Sequence, residues 1–270
     1  SIAAKFRRFV ESEERGWVFT SATLVVNNEF THFQRRMGLE SAKTLMLDSP
    51  FDYAKQALLC VPRYLPEPHQ PAMRQSLVEV SQRLVKASNG RCFLLFTSHK
   101  AMQEVAAALQ DKISNPILVQ GSTSKQALLT QYLADPEAVL LGTGAFWEGV
   151  DVRGDDLVCV LIDKLPFAAP DDPLLQARLE DCKKNGGNPF GSIQIPQAVI
   201  TLKQGAGRLI RDPEDVGVLV ICDNRLVTKP YAQTFLGSLP PMKRTRDLAE
   251  VESFLVKTQH RQSDKKKTKS

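Results

Sequence analysis

Between Gln204 and Arg211, a glutamine and two arginines sit at a spacing that packing alone does not call for. At about 100° per residue, a helix places Arg208 and Arg211 within about 40° of Gln204, while Val199, Leu202, Ala206 and Leu209 gather on the opposite side. One face packs and the other presents charge. Gly207 leaves the polar face without bulk beside Arg208, which suits the close approach of a ligand or another backbone. Two guanidiniums held side by side on a rigid helix can stabilise phosphate charge that grows in a transition state. The alternative is a solvated helix face that carries its arginines by chance.

Further candidates lie where apolar runs stop. After Cys92–Phe96 come Thr97, Ser98, His99 and Lys100. Thr97 or Ser98 can cap a following helix whose free N–H groups hold a phosphate, and a plain cap accounts for them equally well. His99 has no cysteine or serine placed beside it and reads as an exposed loop residue. Gln120, Gly121 and Ser122, polar and small, follow Ile117–Val119. After Val139–Leu141 comes the string Gly142-Thr143-Gly144-Ala145-Phe146-Trp147-Glu148-Gly149-Val150-Asp151. Its glycines admit a ligand to the backbone and Thr143 offers a hydroxyl. Glu148 and Asp151 supply carboxylates for a ribose hydroxyl, a bound water or an arginine, and Phe146 and Trp147 read as core packing before base stacking. Near the N-terminus, Thr20-Ser21-Ala22-Thr23 offers hydroxyls and bare backbone, although so short a string is within chance.

The elements that must position these residues alternate. Trp17–Thr20 reads as a short strand, residues 27–37 as a helix and Leu58–Val61 as a strand. Pro62, Pro66, Pro68 and Pro71 then prevent helix and predict an extended connector. From there helices are expected around Leu77–Val85, Met102–Leu109, Gln126–Leu133, Pro173–Lys183 and Gln197–Ile210, with strands at 92–96, 117–119, 139–141, 157–162 and 216–222. Strands apolar on both faces and alternating with helices predict an α/β fold, a parallel sheet with helices on both faces. Such sheets bind ligands at the carboxyl ends of their strands, where the candidates above sit.

At 270 residues with 43% apolar content, the chain suits one large domain, or one domain and a fragment of another. The net charge of +5 permits nucleic acid without demanding it, and part of the excess is the terminal cluster Lys265, Lys266, Lys267 and Lys269. The five cysteines (Cys60, Cys92, Cys159, Cys182 and Cys222) form no CxxC pair. They read as small apolar residues of a reducing compartment, and their spacing argues no metal site. No apolar run reaches the roughly 18 residues of a membrane span. A chain that begins Ser1-Ile2-Ala3 is expected to be a fragment. A Rossmann-like cofactor enzyme is disfavoured, because no GxGxxG follows the first strand to open a helix.

Taken together, Thr20–Thr23, Phe96–Lys100, Gly142–Asp151 and Gln204–Arg211 resemble motifs III, IV, V and VI of superfamily 2 helicases in order and approximate spacing. The forms FWEGVD and QGAGRLIR are similar to the XPD-like branch, and within it to the bacterial DinG/YoaA type. The resemblance covers Trp17 to about Leu239. It implies a motor of two RecA-like lobes that grips single-stranded DNA and closes on ATP and Mg²⁺, with 5′-to-3′ polarity, in DNA repair or replication-fork rescue in the bacterial cytoplasm, close to the nucleoid. It implies that Arg208 and Arg211, fixed by Gln204, act on the triphosphate from the second lobe. Glu148, Gly149, Asp151 and Gly207 would bind nucleotide, and Gly149 and Asp151 would couple it to DNA. Thr97, Ser98, Lys100, Gln120 and Thr143 would touch the DNA backbone, and Thr20, Ser21, Ala22 and Thr23 would link hydrolysis to lobe movement.

The sequence also departs from the pattern. No GxxxxGK[ST] loop and no DEAH-like motif occur in these 270 residues, and the cysteines of the family's 4Fe-4S cluster are not in this chain. The chain is therefore expected to lack ATPase activity alone. The reading divides it into a first-lobe fragment (1–60), a connector (61–71), a second motor lobe (72–240), a helix (241–258) and a basic disordered tail (259–270). That helix, expected over Lys243–Lys257, gathers Leu248, Val251, Phe254 and Leu255 on one arc. The stripe either folds back or fits a partner's groove. The resemblance implies the chi subunit of DNA polymerase III as that partner, which leaves a recruitment module as the second functional reading.

Overall fold

Runs such as Cys92–Leu95 and Gly217–Ile221 have no polar face to turn to water, and each is a strand buried on both sides. In the computed structural model, the described residues are all of 1–270 except Ser1, Glu13, Glu14, Glu148, Gly149, Asp151, Arg153, Pro170 and Ser270; of Ile2 and residues 261–269 only the backbone is described. The elements in chain order are α1 (Ile2–Glu11), α2 (Thr31–Met37), α3 (Tyr53–Gln56), β1 (Ala57–Cys60), α4 (Ala72–Ser88), β2 (Cys92–Leu95), α5 (His99–Gln110), β3 (Ile117–Val119), α6 (Lys125–Ala134), β4 (Val139–Gly142), α7 (Gly144–Trp147), β5 (Cys159–Ile162), α8 (Pro173–Lys184), α9 (Ile195–Ala206), β6 (Gly217–Ile221), α10 (Arg225–Thr228), α11 (Ala232–Ser238), β7 (Lys243–Thr245) and α12 (Leu248–Lys269). The chain forms two compact units. One holds Ser1–Ser49, Pro166–Lys203 and Gln233–Leu239, and the other Pro50–Leu165, Gln204–Ala232 and Pro240–Ser270.

The larger unit is built on a seven-stranded sheet in the order β3-β4-β2-β5-β6-β1-β7, every pair parallel. Cys92 of β2 lies level with Cys159 of β5, and Ala57 of β1 with Gly217 of β6. Side chains that alternate along these strands, among them Leu58, Leu94, Leu161 and Val220, pack with α4, α5 and α12 into one continuous core. Phe93 points to the other face, where its ring meets Tyr132 of α6 at 4.9 Å. The expected parallel sheet with helices on both faces is therefore present.

The proposed boundary moves. Residues 57–60 pair with β6 and β7 in this sheet, so the strand at 58–61 belongs to the larger unit and the proline-rich stretch is a connection inside it. The expected helix over Lys243–Lys257 is also revised. Lys243–Thr245 pairs alongside β1, and the helix begins only at Leu248. Its apolar stripe is not offered to a partner: Val251 and Leu255 are fully buried, and Leu248 and Phe254 pack against the same core. The physical reason is the face of β1 and β6, which α12 covers beside α4, itself packed on β2 and β5. An Arg83–Glu252 fork at 2.7 and 2.9 Å joins α4 to α12 at the rim.

In the smaller unit, residues 17–20 form no strand, because among the described residues they pair with no neighbour. The helix expected from Asn27 begins at Thr31. Asn27 and Asn28 both take left-handed backbone (φ 50° and 62°) in a tight turn between Val26 and Glu29. Phe6, Phe9, Trp17, Phe19 and Phe33 form a chain of ring contacts.

Truncating a fully buried leucine costs about 2–5 kcal/mol. Leu255→Ala should therefore lower the unfolding free energy of the chain by about 3 kcal/mol in a urea titration followed by circular dichroism. A change below about 0.5 kcal/mol would mean that α12 does not dock.

Candidate functional site

The expected arginine helix ends early. α9 stops at Ala206, where two glycines in three residues, Gly205 and Gly207, weaken it by about 1 kcal/mol each. The chain tightens into turns, with Arg208 N–H on the Gly205 carbonyl (3.3 Å) and Leu209 N–H on that of Ala206 (3.2 Å). Beyond them the loop is moored. The buried Asp215 accepts from the backbone N–H groups of Arg211 (2.8 Å) and Asp212 (2.9 Å), and Gln56 Nε2 donates to the carbonyls of Asp212, Pro213 and Asp215 at 3.0 Å each.

Arg208 and Arg211 thus share no helix face, yet their guanidiniums meet. Arg208 Nε donates to the Trp147 carbonyl (3.1 Å), Arg208 Nη1 to the Val150 carbonyl, and Arg211 Nη2 to that same carbonyl at 2.9 Å. Glu148, Gly149 and Asp151, expected to bind nucleotide, lie outside the described residues. Gln204 is half-buried on the last turn of α9. Close approach rests on Gly205 rather than on exposed Gly207. A Cβ at Gly205 would stand 2.8 Å from the Trp147 ring. Phe146 and Trp147 are buried, as core packing requires, and Trp147 Nε1 reaches the Phe96 carbonyl at 3.4 Å.

Because β3, β4, β2 and β5 lie side by side, the residues that follow them form a row. Gln120 Oε1 accepts from Thr143 N–H (2.6 Å) and from the Thr143 hydroxyl (3.2 Å), and His99 Nε2 lies 3.2 Å from that hydroxyl. Thr143 is only 6% exposed, so it holds this junction together, and the exposed groups there are His99 and Lys100. Ser98 caps α5 by accepting from Ala101 N–H at 3.2 Å. His99 and Asp163 had no partner legible in sequence; register across the sheet supplies it.

Asp163, at the end of β5, accepts from Thr97 N–H (2.9 Å), the Thr97 hydroxyl (3.1 Å) and Lys164 N–H (2.8 Å). Burial pushes its pKa up to about 6, against the opposing pull of Lys164 and these donors. Thr20 and Ser21 are exposed and Ala22 and Thr23 lie in a turn, where the Ser21 hydroxyl lies 3.1 Å from that of Thr23. Cys60, Cys92, Cys159 and Cys222 are core residues, and burial pushes the Cys60 thiol up to about 12. Among the described residues, no three His, Cys, Asp or Glu side chains gather as metal ligands.

The native chain keeps the Asp163 proton up to about pH 6, while the ordinary aspartate value is 3.8. The stability that protonated Asp163 confers is thus complete below about pH 4 and lost as pH rises through about 6, a change of about 3 kcal/mol. An Asp163→Asn side chain can still accept from both N–H groups and donate to the Thr97 hydroxyl. Unfolding titrations of that variant should show this pH slope removed.

The family of helicase C-terminal domains matches residues 81–242. The chain is 55% identical over 256 residues to the ATP-dependent DNA helicase YoaA of Escherichia coli (strain K12), covering 95% of this chain and 40% of that protein. It is 37% identical over 243 residues to the ATP-dependent helicase DinG of Mycobacterium tuberculosis, covering 88% of this chain and 36% of that one. The chain thus spans well under half the length of these relatives. Among solved structures, an apo XPD matches with a TM-score of 0.58 at 18% identity, over 80% of this chain and 46% of that chain, a likeness of fold. The chain belongs to the family of helicase C-terminal domains, in its XPD-like DinG/YoaA branch.

Proposed function

We propose that the chain is the second motor lobe of an ATP-dependent, 5′-to-3′ DNA helicase of the bacterial cytoplasm that serves DNA repair or replication-fork rescue. The observation that carries this reading is the meeting of Arg208 and Arg211 at the Val150 carbonyl. Two fixed cations at one point suit the phosphate charge of a nucleotide held by the other lobe. ATP would supply the phosphoryl group and Mg²⁺ would screen it. This chain's own part is to bring two guanidiniums and to hold, through His99, Lys100 and Ser98, the row that meets the DNA backbone. Without a GxxxxGK[ST] loop the chain alone is expected to be inactive.

In the full-length enzyme, Arg211→Ala should lower kcat for DNA-stimulated ATP hydrolysis by about 10³ with little change in KM. Undiminished kcat would remove the arginine from the chemistry and, with it, the reason for the reading.

Recruitment of the chi subunit of DNA polymerase III remains a second reading on one observation. α12 still exposes Val256, at 42%, outside the stripe that packs on the core. Val256→Asp should then abolish co-purification with chi and leave the unfolding midpoint within about 0.5 kcal/mol of the parent; undiminished capture of chi would place the contact elsewhere.

A further inference from the structure

Lys203 stands on α9 directly before Gln204 and belongs to the smaller unit. There it borders a groove of about 830 Å³ whose walls include Thr20, Ser21, Ala22, Leu24 and Val25. Its ammonium is half-buried and donates to the Val25 carbonyl at 2.9 Å. No acidic side chain pairs with it among the described residues. An ammonium in an apolar groove is costly to desolvate, and burial lowers its pKa from the ordinary lysine value. A methionine or leucine would line such a groove at less cost, so the charge calls for an explanation beyond packing.

Both ends of the contact are anchored. Val25 is followed directly by the tight turn of left-handed Asn27 and Asn28, and Asn27 N–H donates to the Ser238 hydroxyl at 2.7 Å. Val25 also follows the Ser21–Thr23 turn closed by Thr23 N–H on the Ser21 hydroxyl at 3.2 Å. At the other end, Lys203 stands on a helix whose neighbouring side chain Leu202 is buried. The Lys203 head group is thus held by Val25, two residues after Thr23, and Lys203 is one residue from Gln204 and five from Arg208 along the chain.

We propose that Lys203 is a positioning residue that ties the Thr20–Thr23 segment to α9 and so couples nucleotide turnover to strand separation. The inference rests on the helicase reading above and adds to it a residue outside the recognised motifs. The ammonium serves because a charge-assisted hydrogen bond to a backbone carbonyl is about twice as strong as a neutral one, while leaving the side chain free to swing on its four-carbon stem.

The test compares Lys203→Met and Lys203→Arg with the parent in the full-length enzyme. It measures DNA-stimulated ATP hydrolysis, single-stranded DNA affinity and base pairs opened per ATP consumed. Lys203→Met keeps the volume and loses the donor. It should retain hydrolysis and DNA affinity within about twofold and lower the base pairs opened per ATP about tenfold. Lys203→Arg, which can still donate to Val25, should restore most of that ratio. A Lys203→Met enzyme with an unchanged ratio overturns the proposal, and so does a loss of ratio that Lys203→Arg fails to recover. A parent enzyme that hydrolyses no ATP with DNA present would instead defeat the helicase reading itself.

Discussion

A parallel strand buried on both faces leaves its polar neighbours one place to go, the carboxyl end, where the chain leaves the sheet. β3, β4, β2 and β5 all end at the same edge because they are in register and point the same way. Gln120, Thr143, His99, Thr97 and Asp163 come from four strand ends far apart in sequence, and hydrogen bonds join them into two small junctions. The row of candidate residues inherits its geometry from that edge. No single loop along it is long enough to hold itself, and each borrows an acceptor from the next.

How much of this was legible depended on the range of the interaction. The strands and their parallel pairing follow from apolar runs of four or five residues, which is local information, and the arginine string and the glycine-rich string were visible as residue types at a spacing. Asp163 was not. A single aspartate after an apolar run reads as a solvated turn, and only the register of β2 against β5 turns it toward Thr97. The apolar run at 58–61 reads as a strand, but the prolines that follow break helix without showing on which side of a boundary that strand lies, and only its pairing with β6 does.

The stripe on α12 shows the limit of amphipathicity as a signal. An apolar arc says that something covers it and is silent on what. β1 and β6 are neighbours in the sheet, and they would expose a face to water without α12 over it. The bare sheet face therefore competes with any partner for that arc, and it is present at an effective concentration that a separate protein cannot match. Any recruitment through this helix has to work with the residues left outside.

The arginines gain from leaving the helix. On a continuous helix, positions three apart diverge along the axis by about 4.5 Å, and each guanidinium would need its own acceptor. The turn after Ala206 folds that rise away, so both reach one carbonyl. Two guanidiniums on one carbonyl oxygen bring two positive charges to a single point of the chain. Negative charge brought to the same point is stabilised by both at once. A segment with glycines at 205 and 207 is poor as a helix and, for that reason, good at this: Gly205 lets Trp147 lie against the turn, and the carbonyl of Trp147 is in turn one of the atoms that Arg208 holds.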